Sequence, residues 1–236
     1  MITREEMPLQ RTVWRGEEIS DPEIEFAWDD GVRKTAIASS SLLIDDSGSV
    51  FGAVAYFTDI TEQKLTKEKL GHTNKVVEGI NRILMHSLTC ETEEELDQIC
   101  LNVCQELTES QYGFIAEINP AGYLVNIAIS NSGWTHCQMQ MPSSGGRILR
   151  RGIVHGVYGR VLIDGKSLFA NNPALHPDSI GIPEGRPPVN AFLGTPLIHN
   201  GKTIGMIGLA NREGGYREEG IETVLILIIF ICLSAS

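Results

Sequence analysis

The chain of 236 residues has room for one or two domains with a sizeable core. Its net charge of −11, with no cluster of Lys or Arg, argues against nucleic acid as a direct partner. Its five cysteines show no Cys-x-x-Cys spacing, which excludes a disulfide framework and a zinc site and favours a reducing compartment. The polar N-terminal residues do not resemble a signal peptide, so we expect a cytoplasmic protein.

Three strands are predicted in the N-terminal third, after a charged and weakly patterned segment. Residues 23–28 alternate polar and apolar side chains, and Asp30-Gly31 is a hairpin turn signal. Residues 33–43 and 50–58 form the next two candidate strands. The short connections predict an antiparallel meander.

A helix is predicted after the third strand. Asp59-Ile60-Thr61-Glu62 is typical of a helix start, with Asp59 as the cap and Glu62 reaching back as in a capping box. The following residues are mostly charged, with a thin apolar seam that begins in residues 63–70 and continues through Val77, Ile80 and Leu84 at roughly heptad spacing. We expect residues 61–84 to pair with the same helix of a second copy, and a solvated single helix is the alternative.

These three strands and the Asp-Ile-Thr-Glu sequence resemble the C-terminal half of a PAS domain and its exit helix. The residues that carry the resemblance are Asp30, Gly31 and Arg33, then residues 39–42, 48–54 and 59–62. A whole PAS domain has two more strands and several short helices upstream. The resemblance therefore implies an incomplete PAS pocket, which need not bind anything.

From Lys75 onward the pattern predicts two helices and then two strands. Residues 75–88 form an amphipathic helix, and Thr92-Glu93-Glu94-Glu95 is a second capping box. The apolar stripe of the second helix includes Cys100 and Cys104, which we interpret as core residues. Strands follow at residues 112–118 and 123–130.

The C-terminal part predicts a short helix, a strand, a long loop, a hairpin and a terminal helix. The helix lies within residues 152–164, the strand within 166–171 and the loop within 172–188. Asn200-Gly201 is a tight-turn signal between two strand-like runs. Gly205 and Gly208 lack side chains in the second run, which predicts close approach of another backbone or of a ligand.

The terminal helix is predicted from about Arg217. Its apolar run, residues 224–233, is too short to cross a bilayer as a helix, so we expect it to be buried against the domain and we expect no membrane insertion. A helix at a membrane edge is the alternative.

The order helix, helix, strand, strand, helix-containing insert, three strands and helix resembles a GAF domain. The most specific stretches are residues 130–137, 176–179, 183–188 and 192–216. They are similar to the GAF subgroup of archaeal and bacterial sensor histidine kinases, often found beside PAS domains. In that subgroup the loop commonly reads Gly-His-Pro-Pro, whereas Arg186 stands here in place of the His.

The resemblance implies an α+β fold in three segments. Residues 1–62 correspond to the C-terminal part of a PAS domain, residues 63–74 to a signalling helix or linker, and residues 75–236 to a GAF domain. We find no catalytic motif in the chain, so we expect no enzyme activity. Kinase domains, if they belong to this protein, lie elsewhere.

Three candidate ligand residues lie close together in the sequence: Trp134, His136 and Cys137. Some relatives in the resembled subgroup bind heme in a GAF domain through a cysteine, and Cys137 matches that type of position loosely. Heme is therefore one candidate cofactor, with Cys137 as its covalent attachment point and His136 or His176 as an iron ligand. The alternative is that Trp134 packs, His136 faces solvent and Cys137 is an inert thiol.

The long loop adds His176 and Arg186 to the candidates, and the hairpin adds Phe192. Long loops inside compact domains often cover a functional site. Histidine is able to ligate iron, whereas a guanidinium has no lone pair for a metal and suits an anionic ligand group. The alternative is that the neighbouring prolines fix an extended backbone and leave the histidine exposed.

The sequence leaves two functional hypotheses. The first is a sensory module of a signal-transduction protein in a two-component system. Its GAF domain binds a small molecule or redox cofactor and passes the signal through a helical linker to a downstream kinase or other output domain. The second is a structural dimerisation module without a ligand. Under both hypotheses we expect the protein to form a homodimer.

Overall fold

The computed structural model describes residues 6–20, 22–130, 147–148, 156–179 and 188–234. The chain divides into two compact units, Met1–Asn74 and Lys75–Ser236. Helices and antiparallel sheets occur in both, which confirms the α+β class.

The first unit contains a three-stranded antiparallel sheet in the order β1-β2-β3, with strands Glu23–Ala27, Arg33–Ile44 and Val50–Asp59. The predicted meander is therefore confirmed. Gly31 adopts a φ of 86° at the first turn, where the Val32 amide donates to the Asp30 carboxylate at 3.0 Å.

A short helix, α1 (Pro8–Arg15), precedes this sheet and was not predicted. It begins after Met7, whose side chain makes no capping hydrogen bond, so a capping residue is missing and Pro8 at the first helical position is the one local signal of the helix start. The Thr12 hydroxyl lies 2.6 Å from the Ser40 hydroxyl, and both residues are buried. This polar contact fixes α1 on β2.

Helix α2 (Thr61–Ser87) starts at the Asp-Ile-Thr-Glu sequence. Asp59 accepts hydrogen bonds from the Thr61 amide at 3.0 Å and the Thr61 hydroxyl at 2.6 Å, while Lys34 Nζ lies 2.9 Å from its carboxylate. The Thr35 amide donates to Thr61 Oγ1 at 2.9 Å. Asp59 therefore satisfies the first free amide of the helix, as predicted, and Thr61 ties the helix start to β2.

Helix α2 is continuous through Gly71. A glycine in a helix interior costs about 1 kcal/mol relative to alanine, and a helix of this length tolerates that cost. Further along, Gly79 has a packing role, because a Cβ there would lie 2.8 Å from the Val103 side chain of helix α3 (Glu93–Thr108). The two helices cross closely at this glycine.

Helix α3 has the predicted cap. Thr92 is extended, and its hydroxyl accepts a hydrogen bond from the Glu95 amide at 3.3 Å. Cys100 and Cys104 are buried on the inner side of the helix, as the apolar stripe predicted.

The second unit is built around a six-stranded antiparallel sheet in the order β6-β5-β4-β9-β8-β7. Its strands are β4 (Tyr112–Ile118), β5 (Tyr123–Ile129), β6 (Arg147–Ile148), β7 (Leu168–Ala170), β8 (Phe192–His199) and β9 (Lys202–Ala210). Helix α4 (Val157–Asp164) lies between β6 and β7 in the sequence, and helix α5 (Glu218–Ser234) ends the described chain. The predicted hairpin is confirmed, since Asn200 and Gly201 both have positive φ angles between β8 and β9.

One face of this sheet, which we call the helix face, is covered by α2, α3 and α5. It carries the larger apolar core, which includes Ile83, Leu101, Ile115, Leu197, Ile207, Leu209 and Leu227. The apolar run of α5 is buried in part, with Val224 and Leu227 fully enclosed and Leu225 and Ile226 half exposed. Among the described residues, no helix is long and apolar enough to cross a membrane.

Candidate functional site

The opposite face of the six-stranded sheet is covered by helix α4. The helix begins after Gly156, which has a φ of 88°, and ends at Gly165 in the left-handed region. Val157, Val161 and Leu162 turn inward and pack with Phe192 and Met206 in a second apolar cluster. This cluster is separate from the core on the helix face.

Two glycines stand opposite each other on this face, Gly194 in β8 and Gly208 in β9. A Cβ at Gly194 would lie 2.8 Å from the Phe192 ring, and a Cβ at Gly208 would collide with the Phe114 ring. The glycines therefore allow two phenyl rings to lie against the backbone of the sheet.

Gly205 has a different role. A Cβ at Gly205 would collide with the backbone carbonyl of Ala116 on the neighbouring strand β4. The prediction that another backbone or a ligand approaches closely is confirmed at Gly205, whereas at Gly208 the close neighbour is neither of these. The neighbour is backbone at Gly205 and an aromatic ring of the same chain at Gly208.

Tyr158 from α4 completes an aromatic group on this face. Its ring centroid lies 4.6 Å from that of Phe192 at an interplanar angle of 62°, and 6.0 Å from that of Phe114 at 45°. We call Phe114, Tyr158 and Phe192 the aromatic face. Phe192 is enclosed, whereas Phe114 and Tyr158 are only partly buried. Partly exposed aromatic rings are suited to contact a flat or apolar ligand.

The structure describes two of the six site residues predicted from the sequence, and these two lie in different places. Phe192 lies on the aromatic face, and His176 follows a single 3₁₀ turn, Pro173–Leu175, in the long loop. The remaining candidates, Trp134, His136, Cys137 and Arg186, lie outside the described residues.

His176 belongs to a polar cluster on the outer side of α4. Its Nδ1 accepts a hydrogen bond from the Asp178 amide at 3.2 Å, and Asp178 lies 3.4 Å from Arg160 Nε. Arg160 also pairs with Asp164 at 3.0 Å. Because Arg160 and Tyr158 are two residues apart, they project from α4 in directions about 200° apart. The structure therefore does not bring His176 together with Phe192.

Two asparagines fasten the ends of the long loop, and sequence reasoning missed both. Asn171 Oδ1 accepts from the Tyr216 amide at 2.7 Å, and Asn171 Nδ2 donates to the Tyr216 carbonyl at 2.9 Å. Asn211, with a φ of 61°, accepts from the Asn190 amide at 2.8 Å and donates to the Pro188 carbonyl at 2.9 Å. A single sequence shows no signal for these contacts, because the partners are far apart in the chain.

A second depression lies on the helix side of the unit. It is an open groove of about 340 Å³ at the junction of α2 and α3, lined by His86, Thr89, Cys90, Glu95, Gln98 and Ile99. Among the described residues, no group of three or more His, Cys, Asp or Glu side chains is placed to hold a metal ion. The groove is therefore a rival ligand site without a metal-binding set.

The titratable groups near this groove do not form a reactive centre. Burial raises the pKa of the Cys100 thiol to about 12 and raises that of Cys104 further, so both remain protonated near neutral pH. Burial, together with Glu117, also raises the pKa of Asp97 to about 6. These three shifts arise chiefly from loss of water on burial.

The architecture defines an α+β domain with a central antiparallel sheet, helices on one face and a short helix over the other. The family model described as GAF domain matches residues 90–228, which is more than half of the chain. The protein therefore belongs to the GAF domain family, whose members are sensory and regulatory modules of signalling proteins. The comparison with curated proteins found no match.

Solved structures show the same fold. The GAF domain of a phosphoenolpyruvate-protein phosphotransferase from Coxiella burnetii is 19% identical with a TM-score of 0.56, and the match covers 68% of this chain and 92% of that one. A methyl-accepting chemotaxis protein fragment is 14% identical with a TM-score of 0.52, covering 65% of this chain and 94% of that one.

A third similar structure is an enzyme, the free methionine-R-sulfoxide reductase from Neisseria meningitidis in complex with its substrate. It is 16% identical with a TM-score of 0.51, and the match covers 67% of this chain and 87% of that one. Likenesses at these levels of identity establish the fold alone.

Proposed function

We propose that this protein is a sensory module whose GAF domain binds a small organic molecule on the aromatic face. The observation that carries the proposal is the Gly194–Gly208 pair, which lets the rings of Phe192 and Phe114 lie on the sheet with Tyr158 beside them. On the helix face, the described residues of α3 and α5 instead form the larger core against the sheet. A flat ligand gains favourable contact with exposed ring surface and needs few directed polar groups.

The residues described on the aromatic face do not fit heme. Cys100 and Cys104 lie in the core of the helix face, and Cys90 lines the groove. His176 uses its Nδ1 lone pair for the Asp178 amide and lies on the outer side of α4. We therefore propose an organic ligand without iron, and no part of the proposal depends on heme.

We further propose that the first unit is the C-terminal half of a PAS domain and that the chain derives from a sensor histidine kinase. Two observations support this proposal: the antiparallel meander, and the Asp59 cap that joins its last strand to α2. Helix α2 runs without interruption from Thr61 to Ser87, and residues of both units lie within it. A continuous helix is a suitable element for passing a displacement to a downstream kinase or other output domain.

The proposed role is regulatory, without catalysis. The enzyme among the similar structures is a free methionine-R-sulfoxide reductase. Free methionine-R-sulfoxide is therefore the first compound to test as a substrate. We expect no reduction of free methionine-R-sulfoxide in the presence of dithiothreitol. Turnover by the purified protein would replace the sensory proposal with an enzymatic one.

Native mass spectrometry of the purified protein tests the ligand site. We expect a non-covalent small-molecule adduct that is lost in Tyr158→Ala and retained in the control Ile99→Ala, which removes a partly buried apolar side chain from the rival groove. An adduct lost only in Ile99→Ala would move the site to the groove. Absence of any adduct in protein from several expression hosts would favour the alternative, a structural dimerisation module without a ligand.

An absorption spectrum after addition of haemin tests the heme hypothesis separately. We expect no Soret band that remains with the protein through gel filtration. A retained band that disappears in Cys137→Ala would show that the cofactor is heme after all, held through a residue outside the described part of the chain.

A further inference from the structure

The two edges of the three-stranded sheet differ in how they are protected. Strand β1 forms one edge, with five residues that include Glu23 and Glu25. Strand β3 forms the other edge, with ten residues, and its residues 50–58 carry no charged side chain and no proline. Edge strands are commonly short or carry charges or prolines, which prevent another strand from pairing with them. Residues 50–58 have none of these features, so the outer edge of β3 is open to a further strand.

The backbone groups that point to this outer edge follow from the register. Ser40 of β2 exchanges two hydrogen bonds with Ile19, at 3.0 and 2.9 Å, on the side of β2 that faces β1. Ser40 is also the register partner of Ala55 in β3, so Ser40 and Ala55 form a pair without mutual hydrogen bonds. The N–H and C=O of Ala55 therefore point away from β2, and so do those of Ala53 and Phe57, since the direction alternates along a strand. Among the described residues, no strand pairs with these groups.

An apolar row runs along the same edge. Val54 and Tyr56 are 47% and 59% exposed, and they share a face with Gly52, because alternate residues of a strand point to the same side. A Cβ at Gly52 would lie 3.6 Å from the nearest atom, a methyl carbon of Leu43, which is ordinary contact. Packing within this chain therefore does not require glycine here, and the position leaves room for a side chain from elsewhere. We call residues 52–57 the β3 edge.

We propose that the β3 edge pairs antiparallel with the β3 edge of a second copy of this chain, with Val54 opposite Val54 of the second copy. The two three-stranded sheets then become one continuous sheet across the two copies. The proposal assigns an interaction surface to the first unit. It does not depend on the ligand site of the second unit, or on the pairing expected from the sequence for residues 61–84.

The residues on either side of this central pair complement each other. Ala53 stands opposite Ala55 of the second copy, so their outward N–H and C=O groups meet and each such pair exchanges two hydrogen bonds. Gly52 stands opposite Tyr56 of the second copy, at a position without mutual hydrogen bonds, where side chains lie closer. The ring then covers the glycine, an arrangement that stabilises glycine in edge strands. A register shifted by two residues in either direction would leave the glycine without a ring opposite it.

The charges on the sheet favour a second copy as the occupant. No charged side chain lies within the β3 edge, so nothing there attracts a charged peptide, and no like charges meet when two such edges pair. Each edge satisfies the other about a two-fold axis, and the pair is closed, because both open edges are then covered. The outer edges of the joined sheet are the two β1 strands, where Glu23 and Glu25 oppose further addition.

Disulfide cross-linking of the full chain tests the register. Val54→Cys places two thiols opposite each other on Cα atoms about 4.5 Å apart, a separation that a disulfide bridges. We expect a disulfide-linked dimer on a non-reducing gel after equilibration in a glutathione buffer. Thr58→Cys is the matched control, because Thr58 is also exposed and lies on the same face of β3. Its counterpart in the second copy would lie about 27 Å away along the strands, so we expect at least about tenfold less linked dimer. Wild-type protein reports any linkage through the native cysteines.

A mixture of two variants tests the register from both sides. Gly52→Cys and Tyr56→Cys each place their own counterpart about 14 Å away in the second copy, so neither should form a linked dimer alone. An equimolar mixture should form it, since the two cysteines then stand opposite each other. The other Gly52–Tyr56 contact of the mixed pair remains in place.

Proline at one position separates strand pairing from mere proximity of the two strands. Ala55→Pro removes an N–H that points to the outer edge, so the pairing with β2 is kept while the pairing between copies loses hydrogen bonds. Added to Val54→Cys, this change should abolish the linked dimer, whereas Ala55→Ser, which keeps the N–H, should not. Circular dichroism checks that both double variants keep their secondary structure.

Each result decides the proposal. No linked dimer in Val54→Cys, or equal amounts in Val54→Cys and Thr58→Cys, overturns the pairing of the β3 edge. A linked dimer that persists after Ala55→Pro overturns pairing through backbone hydrogen bonds. Absence of linkage in the mixture of Gly52→Cys with Tyr56→Cys overturns the register. None of these results affects the small-molecule proposal, since native mass spectrometry detects the adduct in any oligomeric state.

Discussion

The two faces of the six-stranded sheet differ in how they are filled. The helix face packs fully buried aliphatic side chains from α3 and α5, such as Leu101 and Leu227, against strands β4, β8 and β9. The aromatic face carries a short helix, two glycines and three rings, of which two are only partly buried. We infer that the helix face supplies most of the stability of the unit, whereas the aromatic face is free to bind a ligand. Large buried apolar surface stabilises a fold, and open ring surface is available for contact.

The largest expected effect concerns the helix face. Leu101 is fully buried, so Leu101→Ala should lower the free energy of unfolding by about 4 kcal/mol, through lost burial and the remaining cavity. Tyr158→Ala on the aromatic face should cost less than half as much, because that ring is partly exposed. Urea denaturation of both variants measures the difference. Equal losses of unfolding free energy would show that the two faces contribute equally to the stability of the unit.

A pair of glycine variants sharpens the comparison within one strand. Gly205→Ala should destabilise the protein by about 3 kcal/mol, because the new methyl group meets the Ala116 backbone, which cannot move without breaking the β4–β9 pairing. Gly208→Ala should cost about 1 kcal/mol and displace the Phe114 ring instead. The same denaturation experiment checks the order of the two losses. The reverse order would show that the Phe114 ring is held as rigidly as the backbone.

The smallest expected effect depends on pH. The pKa of Asp97 is raised to about 6, first by burial and then by Glu117, so the folded state favours the protonated carboxyl. Ionisation of Asp97 therefore costs stability, and this cost appears as pH rises from about 4 through 6. Asp97→Asn should stabilise the protein by about 1 kcal/mol at pH 7.5, a value reduced for partial exposure, and by little at pH 4. Thermal unfolding at both pH values measures it, and a variant less stable at pH 7.5 would contradict the assigned cause.

Local signals in the sequence were sufficient for much of the fold. The Asn200-Gly201 turn, the Thr92 cap and the buried stripe through Cys100 and Cys104 each depend on residues within a few positions of one another. Helix α1 had a weaker signal, because Met7 provides no capping side chain and only Pro8 marks the helix start. Gly71 does not interrupt α2, because the surrounding helix formers outweigh one glycine.

Less of the candidate site than of the fold could be predicted from the sequence. Gly208 was singled out, but its neighbour, the Phe114 ring, is distant in the chain and comes close only through the β4–β9 pairing. The outward position of His176 likewise depends on Arg160 and Asp178, which meet through tertiary packing. Tyr158 carried no motif at all. The local sequence pattern identifies strands and turns. Which side chains meet on one face of a sheet depends on which strands pair, and the local pattern does not show that.

Hydrogen–deuterium exchange with and without ligand tests most directly whether the aromatic face is the binding site. The ligand is the compound that co-purifies, or anilinonaphthalene sulfonate where none is retained. We predict added protection in peptides that cover Val157–Asp164 and Tyr123–Ile129, at the helix and strand beside the aromatic face. Protection confined to peptides that cover residues 86–99, at the groove between α2 and α3, would contradict the account.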